Sequence, residues 1–254
     1  MNITVLHYDS LDSTNSEAAN QARLGAAEGV CIVAARQTAG RGRHGRTWVS
    51  EKDAGLYFSI ILRPKLEPRL LPLITLMTGV AVSDALREYG LVPDIKWVND
   101  LHVNGKKIGG ILAETVETTT GLAVIVGIGI NITSRNFPKS IAADATSIEA
   151  ESGRRVTSNE LAETLTRYLS YFYEILIDDG PEAILQHWRQ RSSYFSGKAV
   201  RVTVDNDTFE GVTEGLEENG ALRVRTSHGN VRIIQAGDVE RLRSTDPHLK
   251  PIEL

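Results

Sequence analysis

Gln37-Thr38-Ala39-Gly40-Arg41-Gly42-Arg43-His44-Gly45-Arg46-Thr47-Trp48 sets three arginines in a glycine-rich stretch with no acidic residue in it to neutralise them. Guanidinium groups grip phosphate and carboxylate with paired hydrogen bonds, so an anion belongs here. Gly40, Gly42 and Gly45 also spell G-x-G-x-x-G, and the context of that motif decides the fold. In a dinucleotide fold those glycines follow the first strand and open a helix whose N-terminus receives the pyrophosphate. Here arginine fills positions between the glycines, and the chain continues through Thr47-Trp48-Val49-Ser50 into the strand-like run Leu56-Tyr57-Phe58-Ser59-Ile60-Ile61. The dinucleotide reading therefore fails. The blander alternative, a solvated basic turn, loses ground to a second basic segment, Lys96-Trp97-Val98-Asn99-Asp100 followed by Gly105-Lys106-Lys107-Ile108-Gly109-Gly110. Together the two segments read as a site for phosphates and a small carboxylate. The glycines of the Gly40–Arg46 loop favour an open ensemble that a bound anion would close.

Outward from this loop, the pattern predicts alternating strands and helices. Val5–Tyr8, Val30–Ala35, Leu56–Leu62 and Leu122–Ile130 are strand-like, and Asn104-Gly105 signals a hairpin between 101–103 and 107–114. Helices are expected over Ser16–Leu24, after N-cap candidates at 12–15, and over Pro72–Tyr89. A capping box, Thr157-x-x-Glu160, opens a third helix reaching about Leu176, and Pro181 opens a fourth to Trp188. Between Thr133 and Ser147, with Asn136 and Pro138, no periodicity is visible, which reads as a mobile lid or a disordered segment. From Lys198 the character changes. Ala199–Val204, Thr208–Leu216, Ala221–Thr226, Asn230–Gln235 and Val239–Leu242 are short strands split by turns, as in a small β barrel. The division falls near Ser193–Gly197, giving domains 1–195 and 196–254.

Composition narrows the function. The 254-residue chain nets −4, and each side of Lys198 nets −2, so neither part shows the basic stripe expected of a protein that grips nucleic acid. Cys31 is the one cysteine and lies in an apolar run, which reads as a buried thiol and fits a cytoplasmic setting. The six histidines show no paired metal-ligand spacing, so any metal is expected to arrive with a nucleotide. No apolar run approaches the length needed to cross a bilayer. Trp48 offers a face for stacking an aromatic base and Asn131 a donor and an acceptor for its edge, while Trp97 reads equally well as core. Asp100 is the acid among the cations. It reads as a turn residue, a magnesium ligand or a group that orients an incoming amine.

Asp12-Ser13-Thr14-Asn15, the arginine stretch Gln37–Trp48, Lys96–Asp100, Lys107–Glu114 and Gly127-Ile128-Gly129-Ile130-Asn131 resemble, in order, the motifs of the biotin protein ligases. Val98 departs from the proline common in that family, and the family's N-terminal DNA-binding head is not expected, because the first motif begins near Ser13. The resemblance implies an α/β (α+β) fold, a mixed sheet flanked by helices as in class II aminoacyl-tRNA synthetases and biotin ligases, with a C-terminal SH3-like β barrel. It implies activation of biotin by ATP and Mg2+ to biotinyl-5'-AMP, then transfer to a lysine of a biotin carboxyl carrier protein domain of acetyl-CoA carboxylase or a related carboxylase. A monomer or homodimer is expected. By position, it assigns biotin binding to Ser13, Thr14, Asn15, Gln37, Arg41, Gly42, Arg43, Lys107, Gly109 and Gly110. ATP falls to Arg41, Arg43, Trp48, Lys96, Asn99, Lys107 and Asn131, and catalysis to Lys107, Arg43 and Asp100. A lipoate protein ligase and a non-catalytic biotin-responsive regulator are the alternatives.

Overall fold

The computed structural model describes residues 1–135, 137–205 and 207–241. Asn136, Asn206, the end of the last expected strand at Leu242 and the remainder of the expected C-terminal domain lie outside the described residues.

A seven-stranded mixed sheet has the order β1-β2-β3-β7-β6-β5-β4. Its first unit is β1 (Thr4–Tyr8), α1 (Thr14–Arg23) and β2 (Val30–Ala34), with β1 and β2 parallel across the helical crossover. Every other pairing is antiparallel: β3 (Gly55–Leu62), β7 (Gly121–Asn131), β6 (Lys106–Thr118), β5 (Asp100–Val103) and β4 (Asp94–Lys96). All eight residues of β3 are buried, as a central strand covered on both faces requires. Leu56, Phe58, Ile60 and Leu62 join the main core, whereas Ile61 packs with Ala18 and Ala22 of α1 on the opposite face.

The other face is covered by α2 (Leu73–Arg87) and α4 (Ser158–Asp178), with α5 (Pro181–Arg189) beside them. Helix α4 starts at the expected capping box, in which Thr157 and Glu160 satisfy each other's backbone N–H groups. Asn104 and Gly105 both hold the left-handed backbone that the β5–β6 hairpin turn needs. One expectation is corrected. Pro68–Arg87 is 20 residues long and apolar enough to cross a membrane by length and composition, but most of it is buried inside the fold. Of the stretch expected to be a mobile lid or a disordered segment, the described residues 137–147 carry hydrogen-bonded turns and lead into a short helix α3 (Ile148–Ser152), capped by Ser147 and ended by left-handed Gly153.

A second, antiparallel sheet follows with the order β11-β10-β9-β8-β12, made of β8 (Ser196–Val204), β9 (Asp207–Leu216), β10 (Leu222–Thr226), β11 (Val231–Ile234) and β12 (Asp238–Arg241). The chain enters it through a pinned segment. Arg191 makes a two-pronged contact with Asp84, Ser192 Oγ donates to Ile95 O, and Ser193 bonds Asp94. Trp97 is core, its indole N–H donating to Gly220 O at 3.0 Å, which docks the β9–β10 turn onto the larger sheet.

Candidate active site

Cross-strand register places a row of residues side by side on the α1 face of the sheet: Tyr57, Gly129, Gly110 and Asp100. Two glycines in that row leave a trough with no side chains on its floor. Trp48 lies in the trough, so close that a β carbon on Gly129 would come within 2.4 Å of its indole. The Trp48 indole N–H is buried and donates to no acceptor among the described residues.

The adjoining row holds Ser59, Gly127 and Leu112, and beneath α1 it carries a chain of polar contacts. Thr14 donates from its backbone and hydroxyl to Gln37 Oε1, at 2.8 and 3.1 Å. Gln37 Nε2 donates to Ser50 Oγ, which bonds Trp48 O. Ser59 Oγ sits 2.8 Å from Thr14 Oγ1 and 2.7 Å from Asn15 Oδ1. Asn15 spends both amide protons on the protein, donating to Leu112 O and to Glu114. Ser13 stands at the helix cap position without making a capping bond, so its hydroxyl is left to the cavity it lines.

The arginine stretch forms a narrow hairpin. Trp48 N donates to Gly40 O and Gly42 N to Arg46 O, with a tight turn at Arg43–Gly45. Its charges are not left unmatched as the sequence predicts, because acids arrive from distant positions. Arg41 makes a two-pronged pair with Glu114, and Arg46 pairs with Asp238 of β12. Arg43 donates to Asn99 Oδ1 at 2.9 Å and to Gly237 O at 3.4 Å. Burial pulls the Arg43 guanidinium below its usual value, against the pull of Asp238 and Asp100, yet arginine remains a cation at neutral pH.

Lys107 reaches the trough because of a β-bulge. The register steps from Leu101↔Gly109 to His102↔Lys107, which leaves Ile108 as an extra residue on β6. Without it, Lys107 and Gly110 would face opposite sides of the sheet; with it, both face the site. Lys107 Nζ stands 2.7 Å from Asp100 Oδ1 and 5.5 Å from the centre of the Trp48 ring.

These groups surround one cavity of about 320 Å³. Ser13, Thr14, Asn15, Gln37, Arg41, Gly42, Arg43, Trp48, Asn99, Asp100, Lys107, Gly110 and Asn131 all line it. Two expected residues do not. Gly109 faces away, against Gly129 O and Leu101, and Lys96 pairs in register with Asp100 on edge strand β4 without reaching the cavity wall. The sequence reading missed Ser59 and Asp238, and it missed Phe137 and Ile141 of the 133–147 segment, which also line the cavity. The one signal for Ser59 was a lone hydroxyl in an apolar strand.

Residues 8–131 match the Biotin/lipoate A/B protein ligase family, and residues 195–242 match the Biotin protein ligase C terminal domain. The bifunctional ligase/repressor BirA of Bacillus subtilis is 34% identical over 240 residues, covering 93% of this chain and 73% of that protein. The biotin--[acetyl-CoA-carboxylase] ligase of Paracoccus denitrificans is 31% identical over 239 residues, 90% of this chain and 96% of that one. The biotin protein ligase of Aquifex aeolicus in complex with biotin and ATP superposes with a TM-score of 0.82 at 30% identity, over 95% of this chain and 99% of that one.

Proposed function

Because the chain belongs to the biotin/lipoate A/B protein ligase family, we propose a division of labour among the residues of its cavity. The reaction itself is that of an ATP-dependent biotin–protein ligase. The biotin carboxylate attacks the α-phosphorus of ATP and pyrophosphate leaves. A lysine amine of the acceptor protein then attacks the acyl carbon of biotinyl-5'-AMP, and AMP leaves as the amide forms.

In our reading, the ring system of biotin lies under α1, against Ser13, Thr14 and Gln37, with Asn15 and Ser59 holding those groups in place. The carboxylate then points along the trough toward Lys107. Two anions must meet there, and a cation placed where charge shifts from carboxylate to phosphate lowers the barrier more than it strengthens ground-state binding. Arg43, held by Asn99, covers the phosphate, and Trp48 and Asn131 receive the adenine. Magnesium enters this reading as a companion of the triphosphate. Asp100, beside Lys107, takes in this reading the proton that the acceptor amine loses. A biotin carboxyl carrier domain is the acceptor we propose.

The observation that carries this reading is Lys107, bulged onto the glycine trough beside Asp100 at the end of a polar pocket. The test is incubation with ATP, magnesium and labelled biotin or lipoate, with and without an apo carrier domain. Biotin-dependent pyrophosphate release without carrier, and label on the carrier lysine when it is present, is the expected result. Turnover of lipoate in preference to biotin would overturn it.

A further inference from the structure

Glu114 projects from β6 onto the site face, beyond Leu112, where the floor of the cavity meets the arginine hairpin. Its two oxygens accept from Nη1 and Nη2 of Arg41 at 2.9 and 2.8 Å, and Oε2 also accepts from Asn15 Nδ2 at 2.7 Å. Asn15 is immobile. It is 4% exposed, its other amide proton goes to Leu112 O, and its Oδ1 bonds Ser59 and lies so near the Gly127 backbone that a β carbon there would come within 2.1 Å. A planar fork on a planar carboxylate fixes direction as well as distance. Arg41 is thus seated on the floor of the pocket through a single side chain, with two of its five N–H groups spent and the rest free to face the cavity it lines.

We propose that Glu114 is the positioning residue that couples the arginine hairpin to the biotin floor. The carboxylate transmits the position of Asn15 and Ser59 to Arg41, so the floor under the ligand and the cover above it are set as one unit. This rests on the reading that biotin lies in this cavity. A closure device of this kind governs how long the ligand stays and leaves the bond-making step alone. Loss of Glu114 should therefore shorten ligand residence while chemistry at saturation persists.

The test uses the full chain carrying Glu114→Ala, Arg41→Ala and both together, with Glu114→Gln as a near-isosteric variant that keeps the volume and puts an amide N–H against a donor. Biotin dissociation is followed by stopped-flow tryptophan fluorescence, and pyrophosphate release at saturating biotin gives kcat. Expected are a several-fold faster dissociation and a higher KM for biotin in both Glu114 variants, with kcat close to wild type. The double variant should be no worse than Arg41→Ala alone. Multiplying effects in the double variant, a fall in kcat at unchanged dissociation, or a variant that melts lower but releases biotin at the wild-type rate would overturn the proposal. If the wild-type protein itself holds no biotin, the reading of the cavity fails instead.

Discussion

Lys107 Nζ and Asp100 Oδ1 stand 2.7 Å apart, across a strand pair whose register is broken by one residue between them. The lysine is therefore aimed by backbone geometry and held by a carboxylate before any substrate arrives. A pre-set cation needs little rearrangement when charge moves during reaction, which is where enzymes gain most of their rate. In the proposed mechanism Asp100 has two tasks, holding Lys107 in the first step and serving the amine in the second, and substitutions separate them.

Lys107→Ala should lower adenylation by about 10²–10³-fold while biotin affinity changes far less. Titration calorimetry for binding and pyrophosphate release for turnover decide the matter. Equal losses in both would reduce Lys107 to a binding group.

Asp100→Ala should slow transfer from preformed biotinyl-5'-AMP to the carrier by about 10²–10⁴-fold. Adenylation should fall less than about tenfold, the part due to loss of the Lys107 partner. Single-turnover assays of each half-reaction separate the two, and an adenylation defect as large as the transfer defect would make Asp100 an aligner of Lys107 alone.

Gly129→Ala would place a β carbon 2.4 Å from the Trp48 indole, so the ring must leave the trough. Overpacking of this kind costs about 1–3 kcal/mol, which corresponds to a rise of about tenfold or more in KM for ATP with biotin affinity little changed. ATP affinity that stays at the wild-type level would separate Trp48 from the nucleotide.

Arg43→Gly removes the contacts to Asn99 and Gly237 that hold the hairpin over the cavity. Charge-assisted bonds of this type are worth about 1.5–3 kcal/mol, so biotinyl-5'-AMP should escape about tenfold to a hundredfold faster. Label should then appear on lysines of an added bystander such as albumin, read by streptavidin blotting. Wild-type retention in the variant would remove Arg43 from the cover.

His102 lies beside Lys107 in the β5–β6 register, and burial holds its imidazole below the usual value, helped by the positive charge of Lys96 and Lys107 and opposed by Asp100 and a hydrogen bond with the Gly105 backbone. The unfolded chain takes up that proton near pH 6.5 and the folded chain only at lower pH, so the unfolded state binds more protons in between. Stability from neutral His102 is complete above about pH 6.5 and declines as pH falls below it. Denaturant melts at pH 7.5 and 5.5 should show a smaller drop for His102→Gln than for the wild type, and identical drops would show that His102 has no part in it.

Local signals were legible where short-range chemistry fixes the backbone. The Thr157 and Glu160 box, the Asn104-Gly105 turn and the apolar run of β3 all formed as their residues dictate. Short α3 went unread, although Ser147 and Gly153 bracket it, because five residues carry no helical period. The contents of the cavity were legible through the motif residues, but its wiring was not. Ser59 hides in an apolar strand, the bulge at Ile108 changes no residue type, and Glu114 and Asp238 meet their arginines only across 73 and 192 positions of chain. Lys96 and Gly109 fell into the expected site because spacing along a strand does not say which face or edge a residue occupies.

The attachment of the hairpin to Gly237 and Asp238 has a bearing on accuracy under heat. Among the described residues β12 is an edge strand that pairs only with β8, and edges open before sheet centres do. When it frays, Lys107, Asp100 and the biotin floor are still anchored in the larger sheet, so adenylate continues to be made beneath a cover that has lost its outer moorings. On warming, the enzyme should thus become indiscriminate before it becomes idle, and its working ceiling is set by fidelity well below the temperature at which turnover stops.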